Sequence, residues 1–399
     1  MQKKDFFNKL GLIDDRKLPQ ISSMDLLLLL LGVPFSYILP FIAFLFSGFF
    51  CFYCMIMIMR LFTNSYLFVI MLFTSILCGA GLLAAFFIFI KNFFLALLSD
   101  KCYEYGKVLD LTKDETLFQD IQEVCHSLHI KPPDNIVLSF TADFYVTQRK
   151  MNISQQVLKG RTLVFGIVFL KYLNRNEIKS ILAHEMAHFT GKDTLFSIYI
   201  GYLYKNIHGI LRNFEQLYQE DELWFVCLSL YPISFILRKY LYLYTKLEKK
   251  VSRDREKRAD YISSILYGKE TFKNALTKLS NIQDYFGVRF EDDFVKAYEE
   301  NLLFKNYFIF FDECIKEINY DLSDTNRLKH PTKELDEHYC FSERINYLPN
   351  IPSPTGESGY EIYDPLWEEE ITEAMVNYFV QIMKFLEYPT EREESDFTT

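Results

Sequence analysis

The sequence predicts a membrane-anchored α+β protein: an N-terminal helical hairpin in the membrane, followed by a mainly helical domain with a small sheet. Two long uncharged runs occupy the first quarter of the 399 residues, and the polar remainder alternates short strand-like runs with amphipathic helical patterns. Half of all residues are apolar and 24% are charged, which excludes a disordered chain. The net charge of −9 argues against nucleic-acid binding, because nucleic acids are polyanions.

Both uncharged runs have the length of membrane spans. Residues 26–59 contain no charged residue, and a second run covers residues 61–90 after Arg60. A helix crosses the bilayer core with about 20 apolar residues, so the first run is too long for one straight crossing. We expect Pro34 and Pro40 to divide it. The predicted parts are an interfacial approach at 26–33, spans at about 36–59 and 66–90, and a turn at 60–65.

Basic residues around the hairpin predict its orientation. Five Lys or Arg residues lie within positions 3–17, three Lys residues lie within 91–107, and the turn offers only Arg60. Both termini should therefore face the cytoplasm, and we expect an integral protein of the cell inner membrane with its polar domain in the cytoplasm. The eight cysteines lack the spacing of a disulfide framework, which suits a reducing compartment. The predicted divisions are a leader at 1–25, the hairpin at 26–90, the polar domain at 91–348 and a C-terminal helix with an acidic tail at 349–399.

The start of the polar domain reads as one helix followed by strands. Apolar residues recur at helical spacing within 100–130, and Pro132-Pro133 ends the pattern. Three β-branched or aromatic runs follow and are typical of strands. They cover residues 135–140, 144–147 and 162–170.

A helix with a metal-binding pattern is predicted next. Asn174 and Glu177 form a capping box at its start, and Gly191 provides a stop. The helix contains the string HEMAH, in which His184 and His188 are four residues apart and project from one face. Two imidazoles at this spacing can hold one zinc ion, and Glu185 between them can reach a water on that ion.

A catalytic zinc site needs a third protein ligand. Downstream, the string SRDREKRAD places Glu256 and Asp260 four residues apart on one helical face. Glu256 can then bind zinc, while Asp260 accepts a hydrogen bond from a ligand imidazole and fixes its tautomer. The same string is also compatible with a solvated charged surface.

Taken in order, these strings resemble the HtpX-like membrane zinc metalloproteases, a family that includes the CAAX prenyl protease. The resemblance covers residues 66–348 and rests on the hairpin, on GRTLVFGIVFLKYL before NEIKSILAHEMAHFTGKDT, on SRDREKRAD, on HP at 330–331 and on SERI at 342–345. It implies a gluzincin-type domain with zinc held by His184, His188 and Glu256 and with Glu185 as general base. By the same resemblance His330 hydrogen-bonds the developing oxyanion, although a helix-capping or solvent-facing role remains open.

Two features depart from the family pattern. An Asn-Ala pair that often precedes a Phe on the strand before the zinc helix is replaced here by Ala142-Asp143. The HP and ER-type elements, which are usually close together in the family, are separated here by residues 333–341.

The chain also contains a hydrophobic insertion at 194–250, which in the family can be a second membrane pair. Here it is either such a pair or a pair of interfacial helices over the active site.

The function expected from the sequence is that of a membrane-bound zinc endopeptidase. Its partners would be the lipid bilayer and protein or peptide substrates that are unfolded or membrane-associated, held extended along an edge strand such as 144–147. The alternatives are a zinc-containing membrane scaffold or regulator without turnover, and a transporter-like protein. A structural zinc site has no need of Glu185, and the two spans carry no ionisable residue, so both alternatives are weaker.

Overall fold

The computed structural model describes most of the polar domain and the long N-terminal helix. The described residues are 22–61, 101–104, 106–109, 115–153, 156–190, 193–218, 224–290, 307–317, 321–325 and 340–353, with isolated positions between and beyond them. The second predicted span at 66–90 lies largely outside this set. The turn at 62–65, Gly191 and His330 lie outside it altogether. Most of the predicted C-terminal region at 349–399 also lies outside it.

Helices dominate the described part of the chain. They are α1 (Ser23–Leu61), α2 (Glu115–Ser127), α3 (Phe169–Tyr172), α4 (Arg175–Thr190), α5 (Asp193–Tyr218), α6 (Trp224–Tyr267), α7 (Lys269–Tyr285, continued by a π turn at Phe286–Phe290), α8 (Tyr307–Glu317) and α9 (Phe341–Asn346). The strands are β1 (Lys101–Tyr103), β2 (Gly106–Val108), β3 (Asn135–Ser139), β4 (Phe144–Thr147), β5 (Lys150–Ile153), β6 (Gln156–Leu158) and β7 (Thr162–Gly166).

The strands form two small sheets. The larger sheet has the order β2-β3-β7-β4, with β3 and β7 parallel and β4 antiparallel to β7. The smaller sheet has the order β1-β5-β6. The expected mainly helical domain with a small sheet is therefore confirmed.

The helix predicted within 100–130 is shorter than expected. Among the described residues of this stretch, the helix covers Glu115–Ser127, while Lys101–Tyr103 and Gly106–Val108 form β1 and β2. β1 pairs with β5 almost 50 residues later and β2 pairs with β3. These non-local hydrogen bonds override a local helical pattern. The predicted strand at 162–170 likewise ends at Gly166, and the chain turns into α3.

The first uncharged run forms one uninterrupted helix, so the predicted division at Pro34 and Pro40 is wrong. Each proline removes one backbone donor, and near Pro34 two hydroxyl groups bind carbonyls of the helix. Ser36 Oγ donates to Val33 O (2.6 Å), and Tyr240 OH of α6 donates to Gly32 O (2.5 Å). Among the described residues, no helix combines the length and hydropathy required to cross a membrane.

Two hydrophobic cores organise the helices. The first core lies between the larger sheet and α2, α4, α7 and α8, and it includes Phe165, Phe169 and Met186. A second core joins α1, α5 and the first half of α6 through Leu29, Leu203 and Leu237. The hydrophobic insertion at 194–250 thus packs on α1, and α6 continues from this second core into the first.

Candidate metal centre

The helix that carries the HEMAH string is anchored at its start as predicted. Asn174 N donates to Glu177 Oε2 (2.8 Å) and Glu177 N donates to Asn174 Oδ1 (2.9 Å), which completes the capping box. Lys278 of α7 lies 2.7 Å from the same carboxylate. Arg175 makes a two-pronged contact with Asp120 of α2. These contacts fix the rotation of α4 and hence the direction of its two histidines.

Small residues bring α6 close to α4. Ser263 Oγ donates to Ser180 O (2.7 Å), and the two serine hydroxyls lie 2.9 Å apart. Ala183 and Ala259 are buried in the same core. Because none of these side chains is bulky, the helices approach closely enough for Glu256 to reach the histidines.

The structure brings His184, His188 and Glu256 together. One ligand atom from each residue lies within 4.8 Å of the other two. His184 Nε2 is 3.2 Å from Glu256 Oε2, and His188 Nε2 is 3.4 Å from Glu256 Oε1. Among the described residues, this is the group of three His, Cys, Asp or Glu side chains that could hold a metal ion.

These distances fit a zinc ion. Ligands about 2.0–2.1 Å from a tetrahedral centre are separated from one another by about 3.4 Å, close to the two measured contacts. Two imidazole nitrogens and one carboxylate oxygen are also a donor set that zinc takes in catalytic sites, where a fourth position stays open. The residues present therefore suit the ion.

A buried ion pair supports the first histidine. His184 Nδ1 lies 3.0 Å from Asp260 Oδ1, and Arg344 of α9 binds both Asp260 oxygens, at 2.8 Å from Nε and 2.6 Å from Nη2. The side chain of Asp260 is 0% exposed and that of Arg344 is 10% exposed. Phe272 stacks on the His184 ring at 6.0 Å between centroids. The ring is thus held from two sides.

The charges in this network control its protonation. Burial raises the pKa of the Asp260 carboxyl, but the charge and hydrogen bonds of Arg344, together with the contact with His184, bring it below its ordinary value. Burial lowers the pKa of His184, but its contacts with Asp260 and Glu256 and their negative charges outweigh burial and raise it to about 10. Two carboxylates beside one imidazole thus favour a cation at this position.

Sequence reasoning missed Arg344. The SERI string was part of the family resemblance, but no role was assigned to its arginine. The string places Arg344 between Glu343 and Ile345, which does not reveal a partner 84 residues earlier.

Glu185 and the five histidines outside the cluster complete the description. Glu185 is on α4 between the two histidines and is partly exposed, as a residue facing an open site must be. His330 and His338 lie outside the described residues. His126 and His129 contact each other (6.0 Å between ring centroids), and His208 stacks on Tyr204 in α5.

The larger sheet lies beside the zinc helix. β4 is the last strand of that sheet on one side, and it packs against α4. Asp143, which stands in the family's Ala position, accepts a hydrogen bond from the Thr141 hydroxyl, and its carbonyl accepts one from Gly166 N (2.7 Å). A Cβ at Gly166 would lie 2.7 Å from Thr141 O, so glycine permits this close turn.

One solved structure, the crystal structure of Ste24p from S. mikatae, is similar to this chain. The two share 16% sequence identity with a TM-score of 0.35, over 75% of this chain and 62% of that one. The chain therefore spans less than two thirds of the length of that protein. No curated protein matches the chain at a significant level.

The family model for peptidase family M48 matches residues 115–349, which is more than half of the chain. The matched segment contains the whole cluster of His184, His188 and Glu256 as well as the supporting Asp260–Arg344 pair. The M48 family comprises zinc-dependent metallopeptidases, including the HtpX and Ste24 proteins. This chain belongs to peptidase family M48.

Proposed function

We propose that this chain is a membrane-bound zinc endopeptidase that hydrolyses peptide bonds in membrane or cytosolic proteins. The observation that carries the proposal is the convergence of His184, His188 and Glu256 within 4.8 Å, with Glu185 on the same helix. The proposed catalytic domain covers residues 91–348. Its two histidines and Glu256 would be the zinc ligands.

Each residue near the metal position has a proposed task. Zinc bound there would polarise a water molecule and the scissile carbonyl. Glu185 would take the proton of the attacking water and pass it to the leaving amine. Asp260 would keep His184 in the tautomer that presents Nε2 to the metal. His330 would donate a hydrogen bond to the oxygen that becomes negative during attack.

The substrate is proposed to bind as an extended strand. β4 has β7 on one side only among the described strands, so its other edge can pair with an added strand. This edge belongs to the sheet that packs on α4. A peptide must be extended to use it, which favours unfolded or membrane-associated protein substrates over compact domains.

The proposed location is the cell inner membrane, with the catalytic domain in the cytoplasm. Support comes from the sequence of residues 26–59, which contains no charge, and from the basic residues on both sides of the predicted hairpin. α1 also exposes many large apolar side chains, among them Leu31, Ile42 and Phe49. Burial of these side chains in lipid would remove them from water.

A paired measurement of zinc and cleavage tests the enzymatic proposal. Glu185→Gln should keep the metal, because Glu185 is not a proposed ligand, and should lose cleavage by a factor of at least about 100, the lower range for a general base. The readouts are zinc by atomic absorption and cleavage of membrane proteins compared between wild type and variant by proteomics. Retained cleavage in Glu185→Gln would exclude the proposed mechanism. No cleavage by the zinc-loaded wild type would favour a scaffold.

The membrane proposal has its own test. The chain should stay in the membrane pellet after carbonate extraction. A single cysteine placed at Thr63, in a variant without other cysteines, should react with an impermeant reagent added outside intact cells. Labelling only after permeabilisation would mean that the turn faces the cytoplasm and that the catalytic domain lies on the other side of the membrane.

A further inference from the structure

A cavity between α5 and α6 takes no part in the proposed reaction. It has a volume of about 680 Å³, within the range of small-ligand sites. α6 continues from the cavity to the metal centre, and Lys249 precedes Glu256 by two helical turns, about 10 Å along the axis. The lining includes His208, Arg212 and Glu215 from α5 and Arg238, Tyr242 and Lys249 from α6.

The cavity lies in a basic part of the chain. The facing segments 200–216 and 238–250 contain seven Lys or Arg residues and two Glu residues, and of these Arg212, Arg238, Lys249 and Glu215 line the cavity. Arg238 Nη2 is 2.5 Å from Glu215, and Lys249 is 3.3 Å from Glu248. The two Glu residues therefore offset only part of the positive charge. The side chain of Lys249 is only 15% exposed, so water and salt screen its charge little.

Contacts with α1 define where the cavity lies along the uncharged run. Lys250 Nζ is 2.7 Å from Asp25 Oδ2, Tyr244 OH donates to Leu29 O (3.2 Å) and Tyr240 OH donates to Gly32 O. The segment 238–250 of α6 thus runs antiparallel to residues 25–32 of α1. The uncharged run begins at residue 26, so the cavity is level with the boundary between polar and apolar chain.

The residues around this boundary resemble those at a lipid headgroup layer. Five tyrosines lie in the same two segments, and tyrosine is enriched at membrane interfaces. Earlier in α6, the large side chains of Tyr231, Phe235 and Ile236 are exposed. Exposed apolar surface thus precedes the basic residues of the cavity along α6.

We propose that the cavity binds the phosphate headgroup of an anionic phospholipid, whose acyl chains lie along the exposed apolar surface of α6. This inference rests on the proposed membrane location. Arg212 and Lys249 would contact the phosphate, the guanidinium through paired N–H donors and the ammonium as a point charge. The bound lipid would be a fixed part of the α1–α5–α6 unit, which leads through α6 to Glu256.

Lipid binding to the full chain in nanodiscs tests the proposal. Native mass spectrometry would count retained phosphatidylglycerol and phosphatidylcholine. We expect wild type to retain phosphatidylglycerol preferentially and the variant R212Q/K249Q to bind it about 25-fold more weakly, about five-fold for each basic residue. The matched control is K205Q/K246Q, which removes equal charge from the same two helices outside the cavity lining and should change binding less than two-fold.

Several outcomes would overturn the proposal. Equal losses of phosphatidylglycerol binding in both double variants would mean that the lipid is attracted by the overall charge of the two helices and not by the cavity. A wild type without preference for phosphatidylglycerol would exclude the site. Displacement of the lipid by millimolar inorganic phosphate would assign the cavity to a soluble anion. If R212Q/K249Q melts at a lower temperature than wild type, the single variant R212Q decides, because Arg212 is exposed, with an expected loss of about five-fold.

Failure of this inference is distinguishable from failure of the proposed function. Glu185→Gln should bind phosphatidylglycerol like wild type, because Glu185 does not line the cavity. Carbonate extraction that releases the chain would overturn the membrane location itself. A chain that stays in the membrane without preference for anionic lipid would overturn the cavity proposal alone.

Discussion

The two halves of α6 each contribute to an ion pair, and one pair is exposed to water while the other is buried. Near its start, Arg238 pairs with Glu215 of α5, and the two side chains are 53% and 51% exposed. Near its end, Asp260 pairs with Arg344 of α9, and the side chains are 0% and 10% exposed. The first pair stands in water beside a cavity, and the second stands behind the metal centre.

This difference predicts different energetic roles. Water and salt screen an exposed pair, which typically contributes about 0–1 kcal/mol. A buried pair gains little net stability as a pair, but removal of one member leaves a buried charge without compensation. The Asp260–Arg344 pair is therefore suited to holding His184 in place, whereas the Arg238–Glu215 pair can exchange partners. Five predictions test this contrast, and they run from the largest expected effect to the smallest.

Removal of a proposed zinc ligand should have the largest effect. Glu256→Ala should lower zinc affinity by more than the about 10 to 100-fold typical of a supporting residue, because one of three donors is lost. Zinc titration of the purified protein measures the affinity. Glu248→Ala is the matched control, since it removes the same group two turns earlier in α6. Full zinc retention in Glu256→Ala would remove this residue from the ligand set.

Loss of one member of the buried pair should destabilise the fold. Arg344→Met should lower the free energy of unfolding of the zinc-free protein by about 3–5 kcal/mol, because the buried Asp260 loses the guanidinium that binds both of its oxygens. Thermal melting in detergent measures the change. The double variant Asp260→Leu/Arg344→Met should recover most of that loss. A double variant as unstable as Arg344→Met would show that Arg344 acts through packing.

The carboxylate of Asp260 should matter for the metal as well as for stability. Asp260→Asn keeps the side-chain size but loses the charge next to His184, and zinc affinity should fall about 10 to 100-fold. Zinc titration again provides the readout. An unchanged affinity would mean that the 3.0 Å contact with His184 does not orient the ring.

The contact between α1 and α6 should be sensitive to a single methyl group. A Cβ at Gly32 would lie 2.3 Å from the Tyr244 ring, so Gly32→Ala should destabilise the protein by about 1–3 kcal/mol. Gly79→Ala is the control, because a Cβ there meets no atom within 4 Å. Equal melting temperatures for the two variants would contradict the close packing of α1 on α6.

The exposed pair should show the smallest effect. Arg238→Gln should change the free energy of unfolding by less than about 1 kcal/mol and leave the melting temperature nearly constant. Thermal melting should show that the free energies of unfolding of wild type and variant differ by less than about 1 kcal/mol in both low and high salt. A loss of unfolding free energy as large as that in Arg344→Met would mean that the exposed pair and the buried pair contribute equally to stability.

Local features of the site were predictable from the sequence. The capping box at Asn174 and Glu177 formed as predicted, because its partners are three residues apart. The helical spacing of His184 and His188 placed both rings on one face for the same reason. The strand Phe144–Thr147 also agreed with its pattern.

Other predictions failed where distant residues intervened. β1 and β2 formed within a segment expected to be helical, because their hydrogen-bond partners lie elsewhere in the sheets. α1 continued through Pro34 and Pro40, and near Pro34 it contacts α6 through the bond from Tyr240 OH to Gly32 O. For β1 and β2 the deciding contact joins residues far apart in the chain.

The sequence by itself determined the metal-binding pattern of this protein, because the two histidines, Glu185 and a helix cap all lie within one stretch of helix. Only the tertiary structure decided that Glu256 faces those histidines and that Arg344 locks Asp260 behind them. SRDREKRAD is as charged as any solvent-exposed helix, and its letters do not reveal which residues are buried. Burial depends on the close approach of α4 and α6 through Ser180 and Ser263, a contact between residues 83 positions apart.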